Sequence, residues 1–401
     1  MSSHSIERIW SRAAALLLLI NLLVLIGQGV SVANAPTLPE TPTPTPTPEV
    51  RQLVPSPAPA VHVSIWWDEA VAIRDLDLVQ AMGFRWIKQI FAWRDIEGSR
   101  GAFDWYRADR IVQQAEEHGL HLLVRLDRQP FWSQADGGAV PLNNAPPADY
   151  TDFENFCFAV ASRYQGRIDA YQVWNEPNLS REWGDQPPNP ADYVRLLQHC
   201  YEGIKRGDPD AIVISAGPAP TGTGLPIAIP DDEFIRAMYE AGAAPYFDML
   251  GVNAPGYAAP PQISPEEAAS NPAYGGHRWN AFRHVEDIRQ IMLEYGDGAK
   301  QIAILEMGWT TDPIHPEYSW FAVTEQQQAE YLAGAYWWAR LNWQPWIGIM
   351  TTIYIADPYW TPEDEEYWWS ITLPDYPTTV VRPAYEALSG LPDWGNEFGE
   401  Q

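Results

Sequence analysis

Short apolar segments alternate with longer amphipathic segments along most of this chain. The apolar segments are rich in β-branched and aromatic residues, as in buried strands, whereas the others have helical periodicity. The predicted strands cover 61–67, 85–91, 120–127, 169–175, 211–217, 247–253, 301–307 and 346–355. The predicted helices cover 69–82, 104–118, 149–164, 190–207, 231–241, 279–295, 324–341 and 382–390. Eight consecutive strand–helix units predict an α/β fold of the parallel (β/α)8, or TIM barrel, type.

An open, doubly wound sheet is the main structural alternative, because it shows the same alternation. In nucleotide-binding proteins such a sheet normally carries a Gly-rich loop after its first strand. Residues 66–71 read WWDEAV at that place and contain no glycine. The barrel is therefore favoured, with a catalytic domain predicted over 61–395 and a short tail over 396–401.

The N-terminal part of the chain reads as a targeting segment. Arg8 and Arg12 precede an apolar run over 13–27, and small residues follow up to Ala33. Residues 1–35 are thus predicted to be either a cleaved secretory signal or an N-terminal membrane anchor. Residues 36–60 form a Pro/Thr-rich tract, which predicts an extended linker. Both interpretations of 1–35 place the folded part in an extracellular or cell-surface location.

Charge and histidine spacing narrow the classes of partner and cofactor. The chain has 52 Asp and Glu against 25 Lys and Arg, a formal net charge of −27, which disfavours nucleic acid and anionic lipid as partners. The eight His lack metal-ligand spacing, so neither a catalytic metal nor another cofactor is expected. The acidic run 363–366 is predicted to be a solvated loop, with a calcium site as the minor alternative.

Two cysteines occur in the sequence, and each falls in the middle of a predicted helix. Cys157 lies in the third helix and Cys200 in the fourth. Neighbouring barrel helices run parallel, so the two residues should lie at similar heights. In an oxidising compartment they would form a disulfide, and otherwise they would be two buried free thiols.

Two glutamates stand at predicted strand ends, where a barrel has its active site. Asn175-Glu176-Pro177 follows the fourth strand, and Glu306 closes the seventh. A glutamate among apolar and aromatic neighbours can have a raised pKa and act as a general acid. A second carboxylate facing it can attack an anomeric carbon, so the pair has the groups that glycoside hydrolysis needs.

On these residues the chain resembles the retaining (β/α)8 glycoside hydrolases of clan A, which include cellulases, β-mannanases, xylanases and β-xylosidases. The resemblance covers about residues 61–391, and the overall sequence pattern is most similar to that of families 39 and 5. It implies that Glu176 is the acid/base, that Glu306 is the nucleophile, and that Asn175 binds the sugar 2-hydroxyl. In retaining enzymes the two carboxyl groups are about 5–5.5 Å apart. The implied substrate is a β-linked glucan, mannan, xylan or an oligosaccharide from one of these.

Three positions depart from the pattern of that group. Lys88 stands at the end of strand two, where an Arg is usual, and Asn253 stands where His is expected. Many members of the group have a tyrosine at the end of strand six, and Tyr257 takes its place two residues further along the chain. The departures leave the glutamate pair intact, but they keep open a non-catalytic carbohydrate-binding or cell-surface adhesion protein. A metal-dependent barrel hydrolase is a weaker third interpretation.

Aromatic and charged residues near strand ends are further candidates for substrate binding. Trp132, Trp309 and Trp360 are predicted to stack on sugar faces, whereas part of the remaining set is expected in the core: Trp66, Trp67, Trp93 and Trp174. Arg125 and Asp127 either line the cleft with Arg128 or form a structural ion pair, and the ion pair is preferred.

Overall fold

The computed structural model describes residues 49–134 and 144–392, which form one parallel eight-stranded sheet and the helices around it. The strands are β1 Ala58–His62, β2 Trp86–Ala92, β3 His121–Asp127, β4 Ala170–Val173, β5 Ile212–Ile214, β6 Leu250–Asn253, β7 Ile302–Met307 and β8 Ile347–Thr352. The α-helices are α1 Glu69–Ala81, α2 Trp93–Ile96, α3 Tyr106–Glu117, α4 Tyr150–Arg163, α5 Pro190–Gly207, α6 Asp231–Glu240, α7 Pro265–Ser270, α8 Val285–Glu294, α9 Pro316–Ser319, α10 Glu325–Asn342, α11 Glu365–Trp369 and α12 Pro383–Ser389.

The predicted signal or anchor, most of the linker and the tail lie outside the described residues. Within 49–134 and 144–392, no helix is both long and apolar enough to cross a bilayer.

The sheet curls into a nearly closed barrel. Its strand order is β5-β4-β3-β2-β1-β8-β7-β6, and every neighbouring pair is parallel. A parallel bridge between Ile214 of β5 and Met249, directly before β6, links the two outer strands. The first strand therefore pairs with both the second and the last, as a barrel requires. The (β/α)8 prediction is confirmed, and the doubly wound alternative is wrong.

The barrel interior is filled by side chains rather than open. One cluster of buried residues comes from inward-facing positions of the strands and includes Ala58, Ala60, Leu123, Ala303 and Leu305. A larger cluster lies between the sheet and the outer helices. Because the interior is packed, substrates can reach only the strand ends and the loops that follow them.

The first strand starts three residues earlier than predicted, inside the predicted 36–60 linker. Ala58 and Ala60 are fully buried, and Ala58 pairs with Ile349 of β8. Alanine and proline have low strand propensity, so the pattern alone did not show this strand. Their small side chains nevertheless suit the crowded barrel interior.

A disulfide joins Cys157 of α4 to Cys200 of α5, with a Cα–Cα distance of 5.4 Å. The prediction of a bond, rather than two free thiols, is confirmed. The two helices approach closely because α5 presents glycine to α4. A Cβ on Gly203 would lie 2.4 Å from the carbonyl oxygen of Glu154, so this helix–helix contact has no room for a side chain.

Candidate active site

A cleft of about 970 Å³ lies over the carboxyl ends of the strands. Its wall is formed by loops from all sides of the barrel, and it includes five residues predicted from the sequence: Asn175, Glu176, Asn253, Tyr257 and Glu306. Trp360 also lines it. The two glutamates, which come from β4 and β7, therefore face one common space, as their positions at strand ends predict.

Glu176 is held by two nitrogen donors, one at the end of β6 and one in the segment after β4. The Asn253 amide Nδ2 donates to Oε1 at 3.0 Å, and an Arg181 guanidinium nitrogen donates to Oε2 at 3.1 Å. Gly217 leaves room for this amide, since a Cβ there would lie 2.5 Å from Asn253 Oδ1. Burial and then the charge of Glu306 raise the pKa of Glu176 to about 7, and Arg181 opposes the rise. A carboxyl group with this pKa can carry a proton at neutral pH.

Glu306 is held by two cations from the strands across the barrel. Lys88 Nζ lies 3.2 Å and Arg125 Nη1 lies 3.4 Å from Glu306 Oε1. The Glu306 side chain is 16% exposed, so it is reachable from the cleft. The two glutamates thus sit in contrasting environments: Glu306 lies against two cations, whereas Glu176 is buried beside a second carboxylate that raises its pKa.

Lys88 stands where the resemblance leads one to expect arginine, and the structure shows what replaces it. Lys88 is fully buried and donates to the carbonyl oxygen of Leu305 as well as to Glu306. Burial lowers its pKa to about 8, although Glu306 counteracts this shift. The guanidinium group comes instead from Arg125, on the neighbouring strand β3. A planar guanidinium group and an ammonium group therefore both contact the Glu306 carboxylate.

Arg125 forms the predicted ion pair and also lines the cleft. Its Nε lies 2.9 Å from Asp127 Oδ2, and its Nη1 donates to Asn175 Oδ1 at 2.8 Å. Because the amide oxygen of Asn175 is occupied, its nitrogen is oriented away from Arg125 and is available to a ligand hydroxyl. Arg125 therefore both pairs with Asp127 and lines the cleft.

The three tryptophans predicted to stack on sugars lie in different environments. Trp309 is fully buried over Gly256, and its indole nitrogen donates to the carbonyl oxygen of Ala259 at 2.9 Å. It is a core residue, and its prediction as a platform is wrong. Trp132 lies outside the cleft lining, with its indole nitrogen bonded to the carbonyl oxygen of Glu97 at 2.9 Å. Trp360 does line the cleft.

Other aromatic residues line the cleft but were not singled out as platforms. Trp67 is 59% exposed and Trp320 is 52% exposed, and Trp279 and Tyr354 are partly exposed in the same wall. Trp67 lies near a strand end, and Trp320 belongs to a long loop with no periodic pattern. Trp279 is the first residue of the predicted helix 279–295, but α8 begins at Val285 and Trp279 lies in a short 3-10 turn before it. Tyr354 fell inside the predicted strand 346–355, although β8 ends at Thr352. Only the strand ending would have revealed it.

Tyr257 also lines the cleft, although its hydroxyl group is already engaged. It donates to the carbonyl oxygen of Pro220 at 3.0 Å. The ring lies beside Trp279, at a centroid distance of 5.2 Å, and beside Trp320, at 6.3 Å. Tyr257 therefore builds the wall of the cleft on the side of Glu176 rather than offering its hydroxyl to a ligand.

The acidic run 363–366 contributes to the cleft instead of forming only a solvated loop. Glu365 and Glu366 are partly buried and belong to its lining. Burial raises the pKa of Glu365, while a hydrogen bond with Tyr318 opposes the rise. Among the residues that the structure describes, no group of three or more His, Cys, Asp or Glu could hold a metal ion.

A second cavity of about 660 Å³ lies at the amino ends of the strands, lined in part by Trp86 and His121. Two of its acidic groups already have structural partners. Asp169 accepts from His121 Nδ1 at 2.7 Å, and Asp208 accepts from the Gly166 amide at 2.9 Å. This end of a barrel is normally concerned with stability rather than catalysis.

Comparison with known proteins gives a family match and a curated relative that each cover only part of the chain. A model of glycosyl hydrolase family 10 matches residues 86–185, a range that includes Glu176. A β-xylosidase from Geobacillus stearothermophilus is 28% identical over 166 residues, which cover 36% of this chain and 32% of that protein. The chain therefore spans about a third of the length of this curated relative.

Solved structures extend the likeness over most of the chain. A family 39 glycoside hydrolase from Bacteroides cellulosilyticus WH2 superposes with a TM-score of 0.60 at 19% identity, covering 86% of this chain and 64% of that one. Xylanase 10B from Thermotoga maritima gives 0.54 at 16% identity, covering 83% and 94%. At these identities the superpositions establish the fold. With the family-model match and the β-xylosidase, they point to the clan A glycoside hydrolases as the group that this chain resembles.

Proposed function

We propose that this protein is a retaining glycoside hydrolase that acts on β-linked sugars. Glu306 attacks the anomeric carbon while Glu176 gives its proton to the leaving oxygen, which produces a glycosyl-enzyme and releases the leaving group. Glu176 then takes a proton from water, and the water oxygen displaces Glu306 from the sugar. Two displacements at the same carbon restore the original anomeric configuration.

One observation carries this proposal: the two cleft glutamates are held in opposite electrostatic environments. The pKa of Glu176 is raised to about 7 by burial and by its neighbour's charge. Glu306, in contrast, contacts the cations Lys88 and Arg125. The first glutamate is thus suited to donate a proton, and the second is suited to act as a negatively charged nucleophile.

Among the substrates implied by the resemblance, β-1,4-linked xylan and its oligosaccharides are the first to test. A relative that matches in sequence is a β-xylosidase, and one structural neighbour is a xylanase. Glucans and mannans should be tested as well, because the contacts described above position two carboxylates and do not distinguish one sugar from another.

The alternative function, a non-catalytic carbohydrate-binding protein, depends on the departures from the family pattern at Lys88 and Asn253. Both residues contact a glutamate of the pair, at 3.2 Å and 3.0 Å. Residues that hold both carboxylates in position fit a working enzyme better than a disused site. A binding protein would still bind oligosaccharides without turnover, so the panel below decides between the two functions.

The decisive experiment follows the anomer formed by the purified full chain. It would be offered aryl β-glycosides and β-1,4-linked xylo-, gluco- and manno-oligosaccharides, with the products followed by proton NMR. Retention of the initial anomer is expected, and an inverted first product would refute the mechanism. Both Glu306→Gln and Glu176→Gln should lose at least about 10³-fold in kcat/KM on oligosaccharides. Glu202→Gln, on the outer helix α5, is the matched control.

Azide tests the two roles separately. With Glu176→Ala and an activated aryl glycoside, azide should replace water in the second step and give a glycosyl azide of retained configuration. With Glu306→Ala, azide should attack the anomeric carbon directly and give the inverted azide. The opposite pairing of variant and product would exchange the assigned roles.

We also propose an extracellular or cell-surface location, through residues 1–35 acting as a secretory signal or membrane anchor. The disulfide between Cys157 and Cys200 supports it, because such bonds persist in oxidising compartments. Amino-terminal sequencing of the protein from the culture medium and from the membrane fraction would show whether the segment is removed. Recovery from the cytosol with reduced cysteines would contradict the proposal.

A further inference from the structure

The wall of the cleft on the Glu176 side carries a group of aromatic rings that the two catalytic roles do not use. Trp279, Trp320 and Phe321 surround Tyr257, with ring centroids 5.0–6.3 Å from the tyrosine ring. Within this group, Trp320 is 52% exposed, and its plane lies at 25° to that of Tyr257. An indole with so much accessible surface, in a cleft, is available to stack on a flat apolar face.

Several contacts place this group beside Glu176 rather than beside Glu306. Asn253 leads directly into the loop that holds Tyr257, and its amide donates to Glu176 at 3.0 Å. The charge of Glu176 contributes to the raised pKa of Tyr257, after burial and the charge of Asp231. The aromatic group and the acid/base therefore share one side of the cleft.

The direction of the chemistry then assigns an occupant to that side. A general acid protonates the leaving oxygen, so the departing group lies next to it. The cleft volume of about 970 Å³ is at the upper end of the range of roughly 300–1,000 Å³ that encloses a drug-sized ligand. It therefore has room for more than the one sugar ring that reacts.

Polar groups line the same cleft as the exposed indole. Arg181 is 62% exposed, lies 3.1 Å from Glu176 and interacts electrostatically with Tyr318, two residues before Trp320. Thr221 and Thr223 line the same wall from the loop after β5. A cleft that holds an exposed stacking ring together with hydroxyl and guanidinium groups matches a pyranose, which has an apolar face and a rim of hydroxyls.

Resting on the proposed function, we infer that Trp320 is the platform of a subsite for a sugar leaving group, and that the preferred substrates are oligo- or polysaccharides with a sugar on both sides of the scissile bond. Trp320 would then determine how well a sugar leaving group or a sugar acceptor binds. It would have no part in the reaction of a substrate that lacks a leaving sugar.

The test compares two substrates of the same reacting sugar, xylotriose and β-xylosyl fluoride. The fluoride leaves this subsite empty. Trp320→Ala should lower kcat/KM for xylotriose by roughly 10-fold and leave kcat/KM for the fluoride unchanged, with Trp320→Phe in between. Trp337→Ala, an exposed tryptophan of the outer helix α10, is the matched control and should change neither value.

The outcomes separate this inference from the proposed function. Equal losses on both substrates, or no loss on either, would overturn the role of Trp320 while leaving the glutamate mechanism standing. Failure of the unaltered protein to turn over either substrate, together with failure on the glucose and mannose panel, would overturn the proposed function and this inference with it.

Discussion

The ion pair between Arg181 and Glu176 makes the pH dependence of activity predictable. At 3.1 Å, an effective dielectric constant of ~20 would give an attraction of about 5 kcal/mol. Arg181 is 62% exposed, so solvent screens most of this, and exposed pairs typically contribute up to about 1 kcal/mol. That corresponds to about 0.7 pKa units. Arg181→Gln should therefore raise the pKa of Glu176 above its value of about 7, by at most about 0.7 pH units.

The proton on Glu176 is required for cleavage, so activity falls as pH rises through this pKa. The alkaline limb of kcat/KM on xylobiose should consequently move to higher pH in Arg181→Gln, by at most about 0.7 pH units, and by less in Arg181→Lys. A dinitrophenyl β-xyloside needs no proton on its leaving group, so this limb should be absent with that substrate. A limb that stays in place would refute the reasoning and would favour Lys88, whose pKa of about 8 lies close by.

The remaining predictions concern charge, cross-linking and a buried histidine. Lys88→Met removes one of the cations on Glu306 and should lower kcat/KM by about 100-fold in steady-state assays, while circular dichroism reports an intact fold. The Cys157→Ala/Cys200→Ala double variant opens a cross-link between residues 43 apart and should lose about 2–4 kcal/mol of unfolding free energy in urea titrations; no loss would contradict the structural role. Burial opposes protonation of His284, but two aspartates raise its pKa to about 10. Its protonation should therefore stabilise the fold fully below about pH 6.5 and progressively less as pH rises toward 10. Thermal melts of His284→Gln should thus show a large deficit at pH 6 and a small one at pH 10, and a pH-independent deficit would contradict the ion pair.

Local patterns were enough to predict the barrel and its two glutamates. Eight strand–helix units could be recognised because buried strands and amphipathic helices have different residue periodicities. Glu176 and Glu306 could be placed because the carboxyl ends of parallel strands meet at one face of the sheet. The weak points were segments without a pattern, such as Ala58–His62, where small residues obscure a strand.

The partners of those glutamates depend on the closed barrel. Lys88 and Arg125 reach Glu306 from β2 and β3, across the barrel from β7, and no sequence spacing encodes that distance. The tryptophans divide in the same way: Trp309 follows a strand yet packs into the core, whereas Trp320 comes from a loop and lies open to the cleft. The succession of strands and helices is encoded in local sequence patterns, and it determines which residues lie at the carboxyl ends of the strands, where the cleft is. Which of those side chains meet, and which are exposed, depends on closure of the sheet and on the paths of the long loops, and these are set by packing between residues far apart in sequence.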